Sequence, residues 1–200
     1  MEPISFPSTL PSSVTGMQSF TDTLKLIHSD MQYRCEYEHK QLNTLRVLAF
    51  LTNHAVVSQI VYRWQVFFDT HRLTIVASFL KGINSLVFTV NIDSSARIGP
   101  SFLLLHANYI HIGRNVTIGS HCILAQQNAI CPAYILSSKQ EASEKGPTIG
   151  DHVLFGVGST VTGNITIGNH CKISVNSAVD KSFPDRGILV GVPAKNLSIN

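Results

Sequence analysis

Histidine is the residue type in this chain best suited to chemistry, and nine are spread over its 200 residues. Imidazole exchanges a proton close to neutral pH, so a well-placed histidine can take the proton from a hydroxyl that is about to attack an electrophile. His106 is marked out by its position, where a six-residue periodicity slips by two residues. The alternative is a histidine with no role beyond the repeat. A second group, His121, His152 and His170, follows a common pattern: each comes after an Ile-Gly-x unit, and the first and last are followed by cysteine. Imidazoles in such a column could bind zinc. Equivalent turn positions of a repeat explain the spacing more simply, so no metal is expected. Cys122 and Cys171 fall at small inward positions and read as core.

The elements that must position these residues are legible as a repeat. Ile149, Phe155, Val161, Ile167, Ile173 and Val179 are spaced by six without a slip, and small residues mostly follow them: Gly150, Gly156, Thr162, Gly168 and Ser174. Upstream, Ile92, Ile98 and Leu104 keep the same step; after the slip it resumes with Ile112, Ile118, Leu124 and Ile130. An α-helix does not repeat at six and a simple strand alternates at two. A period of six predicts three short strands per coil of a triangular, left-handed parallel β-helix. The large aliphatic fills the prism and the small residue is expected to turn the corner. The frame breaks once more between Ile118 and Ile149, which predicts an extruded loop over 132–147. Loops of that length in a compact solenoid are usually functional.

Before the repeats the pattern is helical. Leu42, Leu45, Leu48, Ala49 and Thr52 recur at three- and four-residue steps, as do Val57, Ile60, Val61, Trp64 and Phe68. No proline occurs between Pro11 and Pro100, so three to four helices are expected. Trp64, Phe67 and Phe68 read as helix-packing residues. The chain thus divides into a Pro-, Ser- and Thr-containing flexible arm over 1–20, a helical region over 21–90 and a β-helix over 91–200. Hydrophobic residues make up 44% and charged residues 14%, which supports a sizeable core and argues against global disorder. A net charge of +3 does not point to nucleic acid. The apolar stretch from Leu73 to Val90 carries Lys81 near its middle, which disfavours a membrane span, though contact with a membrane surface stays open. Four cysteines without paired spacing, and no signal-peptide pattern, predict free thiols and a cytoplasmic protein.

Taken together, Ala96-Arg-Ile-Gly-Pro100, His106, the Ile149-Gly-Asp and Ile167-Gly-Asn repeats and Gly191-Val-Pro-Ala-Lys195 resemble the serine acetyltransferase group of hexapeptide-repeat acetyltransferases. The likeness covers roughly residues 91–195. It implies a homotrimer, acetyl-CoA as co-substrate along the groove between neighbouring β-helices, and a histidine base at His106. It also implies that Lys195 lies near the cofactor's phosphates and that Gly158, Ser159 and Ser177 line the cofactor groove. The fit is partial. The family's aspartate–histidine pair falls on Leu105-His106, its Asp-Ile-His segment on Asn91-Ile92-Asp93, and a second histidine near Gly146. Asn91 is the candidate partner to orient His106, and Asp93 a weaker one. Because the lost carboxylates would grip an amino acid's ammonium, the pattern looks closer to the polysaccharide-modifying relatives. The expected reaction is therefore O-acetyl transfer from acetyl-CoA to a sugar or polysaccharide-precursor hydroxyl. The first alternative is serine O-acetyltransferase of cysteine biosynthesis. The others are a metal-binding β-helix resembling the gamma carbonic anhydrases and a catalytically silent scaffold.

Overall fold

The computed structural model describes residues 18–133 and 145–198 of the chain. Four helices come first: α1 (Phe20–Tyr37), α2 (Thr44–Phe50), α3 (His54–Thr70) and α4 (Thr74–Phe88). Local chemistry fixes the starts of the first three. Ser19 and Asp22 form a reciprocal capping box on α1, and the Asn43 and Asn53 side chains cap α2 and α3.

Fifteen short strands follow. The first coil holds β1 (Val90–Ile92), β2 (Arg97–Ile98) and β3 (Leu103–Leu104). The second holds β4 (Ile110–Ile112), β5 (Thr117–Ile118) and β6 (Ile123–Leu124), and the third β7 (Ala129–Cys131), β8 (Thr148–Ile149) and β9 (Leu154–Phe155). The fourth holds β10 (Thr160–Thr162), β11 (Thr166–Ile167) and β12 (Lys172–Ile173); β13 (Ala178–Val179), β14 (Ile188–Val190) and β15 (Lys195–Asn196) close the end. They stack into three sheets, ordered β1-β4-β7-β10-β13, β2-β5-β8-β11 and β3-β6-β9-β12-β14-β15. All pairings are parallel except that of β14 with the terminal β15. This is a parallel β-solenoid of about four turns behind a helical region.

The six-residue frame survives in register. Ile98 pairs with Ile118 and Ile118 with Ile149, while Leu104 pairs with Leu124 and Leu124 with Phe155. All six side chains are 2% exposed or less, so these periodic large side chains fill the prism as expected. Residues 132–147 separate β7 from β8, where the equivalent step from β10 to β11 uses only 163–165. Of the arm expected over 1–20 and the loop over 132–147, residues 1–17 and 134–144 lie outside the described residues.

One expectation is corrected. The small residue after each aliphatic does not turn the corner; the residue three places after it does, in the left-handed backbone region, at Asn115, His121, Gln127, His152, Gly158, His170 and Asn176. The glycine serves a different need. A Cβ at Gly119 would sit 2.7 Å from the Gly150 carbonyl, and one at Gly150 2.9 Å from the backbone of Asn169. Glycine is there because neighbouring coils approach too closely for a side chain.

The helices close the open edge of the first coil. That edge has no preceding strand, so its backbone groups need other partners. Its carbonyls accept from cap donors: Ile92 from Gln65, Ala96 from the Tyr62 hydroxyl, Ile98 and Gly99 from Arg63, Phe102 from Gln59 and Leu104 from Arg34. The Phe102 N–H donates to Asp30 at 2.9 Å, and Asp30 holds the Arg63 guanidinium through two contacts, at 2.9 and 3.0 Å.

Candidate active site

His106 follows a pair of buried leucines, Leu103 and Leu104, and is itself exposed. It lies in the corner over 105–109 that leads from β3 to β4, where the two slipped residues are absorbed. The helical cap faces this corner. Arg34 comes from the last turn of α1, and Asn53 and His54 from the start of α3. With Leu105, His106 and Asn108 they line a cavity of about 360 Å³.

Each wall is held from below. The Asn53 side chain accepts from the Ala55 and Val56 amides at 3.1 and 3.2 Å, which pins the first turn of α3 and therefore His54. The His54 ring packs on Phe88, 5.7 Å between centroids. Arg34 is 8% exposed. Its Nη1 donates to the Leu104 carbonyl at 2.9 Å, two residues before His106, and its Nε to Glu38 at 3.1 Å. Glu38 also takes Lys40 at 3.0 Å and Arg46 at 3.9 Å. Burial works to raise the Glu38 carboxyl, but Lys40 and Arg34 outweigh it and hold the group below the usual carboxylate value. One ionised carboxylate is thus shared among three cations.

The expected orienting pair does not form. Asn91 sits in β1 beside His111, its register partner in β4, and no hydrogen bond joins it to His106 among the described residues. Asp93 is half-buried rather than a freely solvated corner residue: Lys81 of α4 contacts its carboxylate at 3.0 Å, and Ser95 donates to it at 2.8 Å. Burial opposes ionisation of Asp93, and these partners reverse that effect, so its carboxyl is held low. His111, which the sequence did not single out, is pushed below the ordinary imidazole value by burial and then by Lys81, against Asp93. Gly146, near which the family's second histidine falls, has no room for a side chain, since a Cβ there would lie 2.9 Å from the backbone of Arg114 and Asn115. His54 is the histidine that shares the His106 cavity, and nothing local in the sequence announces it.

The candidate cofactor residues fall on the edge between the third and first sheets, the same edge that carries His106. Gly158 turns its corner at φ +71°, and a Cβ there would collide with Asn176. Ser159 and Ser177 are 0% and 1% exposed. The Asn128 amide donates to the Ser159 hydroxyl at 2.9 Å, and the Ser177 hydroxyl accepts from the Gly191 amide at 3.1 Å. Their hydroxyls are therefore engaged by neighbouring coils, because the repeat turns this position inward. Lys195 is exposed beside Val190 at the far end of that edge. His121, His152 and His170 stack with 4.7 Å between successive ring centroids and interplanar angles of 14° and 5°. Parallel rings point their lone pairs side by side, and no cluster suited to a metal ion occurs among the described residues. Cys122 and Cys171 are fully buried, their thiols directed at the Gly150 and Pro184 carbonyls. A larger groove of about 640 Å³ opens beside His28, Glu36 and Lys40.

No family model matches the sequence. The chain is 26% identical to the serine acetyltransferase of Synechococcus elongatus over 172 residues, 86% of this chain and 67% of the relative. It is 27% identical to the Staphylococcus aureus serine acetyltransferase over 175 residues, 85% of this chain and 76% of the relative. Among solved structures, Neisseria gonorrhoeae serine acetyltransferase matches with a TM-score of 0.75 at 24% identity, over 89% of this chain and 66% of that one. The same protein in complex with serine matches at 0.73 and 25% identity, over 88% and 69%. The chain thus spans about two thirds of the length of these relatives. The expectation of a sugar or polysaccharide acceptor is corrected by these matches, which are to serine acetyltransferases along most of the chain. The loss of two carboxylates removes a grip on an ammonium; it builds no sugar site.

Proposed function

From a chain that fits the hexapeptide-repeat, serine acetyltransferase-like family, we propose an acetyl-CoA-dependent O-acetyltransferase with L-serine as acceptor and His106 as general base. The observation that carries the reading is His106 itself, exposed on a solenoid edge and facing a cavity built by the helical cap. His106 takes the proton of the acceptor hydroxyl as its oxygen bonds to the thioester carbonyl carbon. The carbon–sulfur bond then breaks, and the proton passes to the departing thiolate. Holding acceptor and thioester together makes the transfer direct.

The edge offers a track for the co-substrate. From the first coil to the last is four coil steps, about 19 Å at ordinary strand spacing, with Lys195 near the far end, where a lysine suits phosphate. The Brucella abortus serine acetyltransferase in complex with coenzyme A matches at a TM-score of 0.76 and 20% identity, a likeness of fold. A homotrimer and a cytoplasmic setting complete the reading; four buried free cysteines fit a reducing compartment.

The test is release of free CoA from acetyl-CoA on addition of L-serine. Turnover that falls with His106→Asn while the far-ultraviolet dichroism is unchanged supports the assignment. Absence of both turnover and acetyl-CoA binding would sink it.

A further inference from the structure

The cavity beside His106 has one fixed charge on its wall, the guanidinium of Arg34. Its titratable lining groups are Arg34, His54 and His106, with no carboxylate among them. Arg34 is nine-tenths buried, and two of its nitrogens are engaged, by Leu104 and Glu38. Glu38 cannot neutralise it fully, since Lys40 and Arg46 draw on the same carboxylate. A guanidinium presents five N–H donors in a planar fork and cannot lose its charge. Held this way, it leaves donor capacity at the cavity wall, and the bond to Leu104 ties that wall to the strand that ends in His106.

We propose that Arg34 binds the carboxylate of the acceptor, and that the acceptor class is a small hydroxy acid whose amino group is dispensable. The inference takes its location from the acetyl-transfer reading above but rests on the buried Arg34 guanidinium and the lack of a carboxylate in the cavity lining. A carboxylate gains a charge-assisted contact with Arg34 in a partly desolvated setting. An ammonium finds no carboxylate on this wall and meets the Arg34 guanidinium instead. L-serine qualifies through its carboxylate, and 3-hydroxypropanoate, the same skeleton without the amine, qualifies equally.

Wild-type protein should be assayed with L-serine, 3-hydroxypropanoate and L-serinamide, following free CoA, and each compound's binding should be measured by calorimetry. The expected result is a kcat/KM for 3-hydroxypropanoate within about tenfold of that for L-serine, with L-serinamide weaker than either by on the order of 10- to 100-fold, the size of a charged hydrogen bond. Arg34→Gln should raise KM for both carboxylates by a similar factor, and by at least about tenfold more than it raises KM for L-serinamide. If that variant fails to fold, the three-acceptor series on wild-type protein decides. Serinamide as good as serine, with 3-hydroxypropanoate inert, would overturn the proposal and leave the transferase intact. Carboxylate-dependent binding without any CoA release would do the reverse.

Discussion

At the scale of single residues, His106 and His152 show how one side chain type serves two ends. His106 is exposed at the cavity, and removing a general base typically costs two to four orders of magnitude in rate. His106→Asn should therefore lower kcat by roughly 10²- to 10⁴-fold, read as CoA release under saturating substrates. His152 is the middle ring of a stack. Burial, and then the imidazoles of His121 and His170, push it below the ordinary imidazole value, against the pull of Asp151. His111 is lowered chiefly by burial too. Both bind a proton less readily folded than unfolded. Their neutral forms cost nothing above about pH 6.5, and stability is lost as pH falls from there through their depressed native values. Urea unfolding between pH 8 and 5 should show that decline. His152→Asn, which keeps a side chain tolerant of φ +57°, should flatten it; an unchanged slope would mean the stack does not titrate. The stack was readable from spacing, since three Ile-Gly-x-His units at matched frame positions must superimpose. Arg34 was not: it occupies an ordinary helix position, and only the docking of α1 brings it to the cavity.

At the scale of elements, the cap and the coils make different demands. Asp30 and Arg63 are 5% and 2% exposed and answer the first coil's unpaired backbone. Asp30→Ala leaves a buried guanidinium without its counter-charge and should destabilise the fold by about 3–5 kcal/mol in chemical denaturation. Glycine-to-alanine changes separate close approach from flexibility. Nothing lies within 4 Å of a Cβ at Gly82 in α4, whereas a Cβ at Gly119 would strike Gly150. Gly82→Ala should stabilise by about 1 kcal/mol, the helix-propensity difference. Gly119→Ala should destabilise by roughly 1–3 kcal/mol through overpacking. Two melting curves decide, and a shared sign would refute the distinction.

At the scale of the molecule, the helical region leaves much apolar surface uncovered in a single chain. Ile75, Phe79 and Leu86 of α4 are 86%, 68% and 85% exposed. Contiguous apolar patches of this kind mark contact surfaces in soluble proteins, and no single described helix is long and apolar enough to cross a membrane. The proposed homotrimer predicts sedimentation at three times the 21.9 kDa chain mass; a monomer at micromolar concentration would contradict it.

The six-residue frame determined the solenoid, its inward side chains and the histidine column. Those follow from a hydrogen-bond ladder in which each strand's facing is set by its own position in the repeat, so local pattern suffices. The tertiary structure alone decided which residues meet His106. The first coil's carbonyls and amides must find partners, and the helices that supply them arrive from far upstream in the sequence. Their docking places Arg34, Asn53 and His54 against the corner at His106, and no periodicity in the chain encodes that meeting.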